Sequence, residues 1–213
     1  MKYYRMLNPK KKIIIHLHGT KIRGRWNEYK DLKYADQIIV STPDLLEGSP
    51  EGTEYLPNPV DEELILNIKQ AMKGIPKERK AFHVDRFATD KAIEYAAKYD
   101  LELVVFDRDK TPLPHAEFLA MVGKYRYFIN VERSSYLGNV AKHQYYIDVK
   151  RDYPGSLYEN KVLETYSLTG LEALALGCNV INWDGKIRKR LPHEHRSENI
   201  VKKLHGIYQE LLG

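Results

Sequence analysis

Apolar runs of two kinds organise the chain: short continuous ones, and others spaced as on a helix face. Lys11-Lys12-Ile13-Ile14-Ile15 predicts a buried strand running into His16-Leu17-His18-Gly19, and Gln37-Ile38-Ile39-Val40-Ser41 predicts a second. Continuous runs of this kind suit a parallel sheet covered on both faces. In Tyr55-Leu56-Pro57-Asn58-Pro59-Val60-Asp61 two prolines flank Asn58. Proline fixes φ and lacks an N–H, so this stretch predicts an extended connector. A boundary here gives domains 1–58 and 59–213, the last helix being free to pack back on the N-terminal piece.

Beyond the connector the alternation is regular. Strands are expected at 81–84, 103–106, 127–131 and 179–181, and helices at 89–99, 115–124, 168–176 and 197–212. A polar, aromatic stretch (132–160) interrupts them. Strands alternating with helices imply βαβ units, so the expected class is α/β with a parallel sheet. The larger domain reads as a nucleotide-binding α/β unit behind a shorter α/β piece.

Composition adds bounds. The 213 residues are 43% hydrophobic and 30% charged, enough for a core under a charged surface. No apolar run approaches the ~20 residues of a membrane span, and no signal-peptide pattern opens the chain. The single cysteine, Cys178, excludes an intramolecular disulfide framework and fits a reducing cytoplasm. The formal net charge of +5 favours anionic partners without choosing among phosphates, nucleic acid and lipid head groups.

The residues richest in chemistry are Glu164-Thr165-Tyr166-Ser167-Leu168-Thr169-Gly170-Leu171-Glu172. Ser167 or Thr169 can cap a helix whose Leu171, Leu174 and Ala175 face the sheet, with Gly177 ending it. Glu172 then lies in the first turns and Glu164 in the preceding loop. The free amides and positive dipole end of that helix suit a phosphate. One carboxylate can bind sugar hydroxyls while the other takes a ribose; an ordinary charged loop and amphipathic helix is the plain alternative. A second element is Val84-Asp85-Arg86-Phe87-Ala88-Thr89-Asp90-Lys91, directly after the first strand of the larger domain. Open α/β sheets bind ligands at that carboxyl edge. Arg86 offers a fork of donors to phosphate oxygens and Lys91 a point charge, unless both are merely solvated.

Together these motifs resemble the retaining GT-B glycosyltransferases of the glycogen synthase and mannosyltransferase type. Seven residues separate two glutamates ahead of Ala-Leu-Ala-Leu-Gly-Cys-Asn-Val-Ile, and an arginine and a lysine with four residues between them follow the domain's first strand. The His-Leu-His-Gly-Thr segment and the stretch from Ser41-Thr42-Pro43 to Asp61 are similar to the end of that family's N-terminal domain. The resemblance runs from Ile13 to Asp184. It implies a Rossmann-type parallel-sheet C-terminal domain behind a shortened N-terminal one. It also implies a metal-independent transferase that takes its sugar from a nucleotide diphosphate donor, with no cofactor. By the resemblance, Arg86 and Lys91 hold the diphosphate, and Glu164 binds hydroxyls of the transferred sugar. Glu172 binds the ribose, Ser167, Leu168 and Thr169 offer amides to the phosphates, and His18 faces the donor sugar from the N-terminal side.

Two departures accompany it. Asp85 stands where the family usually has a glycine before the phosphate arginine, and the acceptor side is short, lacking the family's glycine-rich loop. The acceptor (a glycan, a lipid-linked sugar or a protein) stays open, as does completion of the short side by a homodimer or a separate subunit. A non-catalytic sugar-nucleotide module, or the donor subunit of a split enzyme, is the alternative function. His16 is expected to pack. Arg23 and Trp26 lie in a loop that meets an acceptor or covers the core. His193 and His195 lack the spacing of a metal site. The run Lys186-Ile187-Arg188-Lys189-Arg190-Leu191 is a solvated face, a peripheral membrane contact or a nucleic-acid patch, the last demanded by no motif. Tyr145, Tyr146, Tyr153, Tyr158 and Tyr166 stack on a base or a sugar, or simply pack.

Overall fold

The computed structural model describes residues 2–18, 22, 26–85, 88–131, 162 and 164–213. Arg23, Arg86 and the tyrosines at 145, 146, 153 and 158 lie outside the described residues, as does the whole aromatic stretch 132–160. The chain divides into two compact units, residues 1–59 with 192–213, and residues 60–191.

The first unit holds a three-stranded parallel sheet in the order β1 (Ile14–Leu17), β2 (Gln37–Val40), β3 (Glu54–Tyr55). Period-two alternation divides β2 between two cores. Ile38 and Val40 pack with Ile22, Trp26, Leu32 and Leu45. Ile39 packs with Leu56 and with Ile200 and Ile207 of the last helix, α6 (Ser197–Leu212). Trp26 is therefore a core residue. A short helix, α1 (Lys2–Leu7), buries none of its side chains; it is tied to the rest through Arg5, which bonds Tyr34 O and the Asp36 carboxylate.

The second unit is a five-stranded sheet in the order β5 (Glu102–Phe106), β4 (Glu78–Val84), β6 (Tyr125–Ile129), β7 (Asn179–Ile181), β8 (Ile187–Arg188). The first four strands are parallel and β8 is antiparallel to β7. The sheet is thus parallel-rich but mixed, an α/β arrangement compatible with a Rossmann-like fold. The edge strand comes from the basic run at 186–191: Ile187 and Arg188 pair with Ile181 and Val180. In the turn before it Gly185 has φ +69°, and a Cβ there would lie 3.0 Å from the Tyr95 ring.

Each strand again serves two faces. Phe82, Phe128 and Val180 pack against helices α2 (Glu62–Ala71), α4 (His115–Gly123) and α5 (Leu168–Ala175). Ala81, Ile129 and Ile181 pack against α3 (Thr89–Lys98) through Ala92, Tyr95 and Ala96. Alanines make up much of the α3 side of the core, while phenylalanines are concentrated on the opposite side. Asp61 starts α2 by accepting from Leu64 N at 2.9 Å, and Gly177, at φ +82°, ends α5 in a conformation that favours glycine. Cys178 is buried beside that turn, where desolvation pushes its thiol pKa up.

Candidate functional site

Strand order reverses between β4 and β6. From β4 the chain moves outward to β5, then crosses back to β6 and onward to β7. Loops leaving the carboxyl ends of β4 and β6 therefore diverge, and open α/β sheets bind ligands in the crevice this leaves. Asn130 follows β6 directly, Asn182 follows β7, and the N-termini of α4 and α5 face the same edge.

Asn130, 3% exposed, organises that edge. Its Nδ2 donates to Thr165 O at 3.1 Å and to Asn182 Oδ1 at 3.3 Å. Its Oδ1 accepts from Ser167 N at 3.1 Å and Ser167 Oγ at 2.8 Å. Ser167 Oγ in turn accepts from Gly170 N at 3.0 Å, capping α5. One amide side chain thereby joins β6, β7 and the loop carrying Glu164 to the start of the helix. The cluster leaves no room at Gly170, where a Cβ would stand 2.4 Å from Asn130 Oδ1. Close approach, rather than backbone conformation, is why glycine sits there. Asn130 escaped the sequence reading; its signal is an asparagine directly after an apolar strand, at an edge where buried amides must find partners.

Ser167 is the cap, so the choice between Ser167 and Thr169 is resolved by the hydrogen bond to Gly170. The Ser167 N–H is committed to Asn130, while Leu168 and Thr169 occupy the first turn, where an amide has no intrahelical carbonyl to bond. Glu164 is exposed in the loop before the helix.

Glu172 has a different setting. Its side chain is 4% exposed, with Oε1 2.8 Å from His115 Nε2 on the first residue of α4. Oε2 is buried with no hydrogen-bond partner among the described residues. Burial pushes the Glu172 pKa up, and the neighbouring His115 and Arg108 act against that shift. His115 is a second site residue that the sequence reading passed over, because nothing local marks a histidine at a helix start as the partner of a residue 57 positions later.

At the end of β4, Asp85 continues the ladder through its N–H to Phe106 O, and its Oδ1 accepts from Thr89 Oγ1 at 2.6 Å. Ala88 enters α3 at φ +61°, the left-handed region that disfavours a Cβ by roughly 1 kcal/mol. Lys91 lies on α3 with Nζ 2.7 Å from Glu94 Oε1 and 4.9 Å from the Tyr95 ring centroid. A cavity of about 300 Å³ opens between Asp85 and the loop after β5, lined also by Arg108, Asp109, Pro112 and Leu113. Tyr166 meets Trp183 edge-on, ring centroids 5.2 Å apart.

In the first unit the edge beyond β1 is rich in imidazoles. The His16 and His18 rings lie 3.9 Å apart between centroids, and His18 Nδ1 is 2.9 Å from Asn58 Oδ1. His195 is buried, its Nδ1 3.4 Å from Asn58 O. Desolvation lowers the pKa of both His16 and His195; the nearby His18 adds to the effect at His16. Among the described residues no group of three His, Cys, Asp or Glu side chains is placed to hold a metal ion, and no helix is long and apolar enough to cross a membrane.

No protein-family model matches the chain, and no curated protein or solved structure matches it either.

Proposed function

We propose that this chain is a glycosyltransferase that moves a sugar from a nucleotide diphosphate donor to an acceptor, without a bound metal and with retention at the anomeric centre. The 60–191 unit holds the donor. The observation that carries this reading is the buried Glu172 carboxylate beside the capped start of α5, at the edge where the strand order reverses. A desolvated carboxylate binds a hydroxyl donor strongly, because water does not compete for it.

In this reading the diphosphate lies at the N-terminus of α5 and takes the amides of Leu168 and Thr169. Arg86 and Lys91 neutralise charge on the leaving group, Lys91 exchanging Glu94 for a phosphate oxygen. Preorganised positive groups of this kind stabilise a departing phosphate without a metal. Glu164 binds hydroxyls of the transferred sugar, and Glu172 binds the ribose.

A thermal-shift screen against UDP, GDP and ADP sugars tests the donor site. A donor held at ~100 times its dissociation constant contributes about 2.7 kcal/mol, so one series should raise the melting temperature by several degrees. Transfer or donor hydrolysis should then collapse in both Glu164→Ala and Arg86→Ala. Unchanged turnover in the two variants overturns the proposal.

A further inference from the structure

Glu172 is bound on one side only. Oε1 is 2.8 Å from His115 Nε2, whereas Oε2 is buried with no partner among the described residues. Two further charged groups act on it, Arg108 in the loop after β5 and Asp61 at the start of α2. A carboxylate clamped at one oxygen cannot turn freely about its last bond, so the other oxygen keeps one direction.

The clamp itself is well seated. His115 opens α4 directly after Pro114, whose extended backbone (φ −52°, ψ 145°) precedes the helix, and Pro112 lies two residues earlier. Proline on both sides of Leu113 restricts the loop, so little conformational freedom remains to be lost when a ligand arrives. The imidazole is 44% exposed against 4% for the carboxylate, and it therefore reaches in from the surface to hold a buried group.

We propose that His115 is a positioning residue of the nucleotide site: by holding Glu172 Oε1, it presents Oε2 as a single oriented acceptor for a hydroxyl of the bound nucleotide. The role rests on the nucleotide-sugar reading of the same site. His115 acts through Glu172 and needs no contact with the ligand. Removing the imidazole leaves both carboxylate oxygens without their donor in a desolvated place, and the side chain turns away or takes up a proton.

Calorimetric titration of the full chain with UDP, GDP, ADP and inorganic pyrophosphate tests this in the wild type, His115→Gln, His115→Leu and Glu172→Gln. A glutamine amide can donate from about the place of Nε2, and leucine cannot. Whichever nucleoside diphosphate binds the wild type should bind His115→Leu and Glu172→Gln about tenfold more weakly. His115→Gln should stay close to wild type, and pyrophosphate, having no sugar hydroxyl, should not distinguish the four proteins. A parallel loss for nucleotide and pyrophosphate means a structural role only and overturns the proposal. Wild-type affinity in His115→Leu beside a loss in Glu172→Gln overturns the positioning role and leaves the nucleotide reading standing. Failure of the wild type to bind any of the three nucleotides overturns that reading, and this role with it. If His115→Leu does not fold, His115→Asn replaces it: its amide is too short to reach Glu172, and an affinity equal to that of His115→Gln overturns the proposal.

Discussion

Each unit has its own sheet, three parallel strands in one and five mixed strands in the other, and burial shifts opposite kinds of titratable group in the two. In the 60–191 unit the buried acid is Glu172, whose pKa burial pushes up. In the unit formed by 1–59 and 192–213 the bases are the half-buried His16 and the buried His195, whose pKa desolvation pushes down. One cause, the cost of keeping charge away from water, acts in both. It gives Glu172 and the two histidines opposite contributions to the pH dependence of stability. The larger unit also satisfies its edge through a single amide hub, Asn130, while the smaller one shares Asn58 between two histidines.

The hardest blow to this comparison falls on the larger core. Phe82 is fully buried and touches Phe106, Phe118, Tyr125 and Phe128. Phe82→Ala should destabilise the 60–191 unit by about 4 kcal/mol, read by urea unfolding together with amide exchange. Protection should fall in β4 and β6 and persist in β1 and β2; an equal loss everywhere would mean that the units unfold as one. Next in size is Gly170→Ala, which drives a methyl to 2.4 Å from Asn130 Oδ1. It should cost about 3 kcal/mol and release the amides of Thr165 to Gly170 to faster exchange. Retained protection there would remove Asn130 as the hub.

The pH response comes third. His16 and His195 have folded-state pKa values below their unfolded value of 6.5. Their contribution is present above that value and lost as pH falls from it through the lower folded values, since the unfolded chain then binds more protons. Glu172 has a folded-state pKa above its unfolded value of 4.5, so its contribution is present below that pH and lost as pH rises through the folded value. Between pH 7.5 and 5.5, amide exchange corrected for its intrinsic rate should therefore show β1 and β2 weakening on acidification (working range set about the histidine reference value). Replacing both His16 and His195 by glutamine should flatten that slope, and an unchanged slope refutes the assignment. The smallest effect is expected at Glu94, 62% exposed beside Lys91. Glu94→Gln should move stability by less than about 0.5 kcal/mol, whereas a larger change in thermal unfolding would mean that the pair is structural.

Much of the element list was legible because period and punctuation are local. The strand expected at 179–181 and the helix at 197–212 coincide with β7 and α6, and Gly177 ends α5 as its position suggested. The α/β class followed from alternation alone. The antiparallel β8 was hidden, since Ile187-Arg188 is too short to show a period within a run of basic residues and becomes a strand only by pairing with β7. Trp26 was equally readable as a loop aromatic or a core residue until Leu32, Ile38 and Leu45 closed around it.

For the candidate site the division has one physical cause. Local sequence alone sets Glu164 and Glu172 on either side of a capped helix start, and puts Arg86 and Lys91 shortly after the first strand of the larger unit. Capping, helix periodicity and strand ends are set by neighbours within a few residues. Packing across the fold settles which of those carboxylates is buried, that His115 meets Glu172 across 57 positions, and that Asn130 leaves Gly170 no room for a side chain. Burial and long-range hydrogen bonds depend on which elements the sheet brings side by side, and no local pattern of residues records that choice.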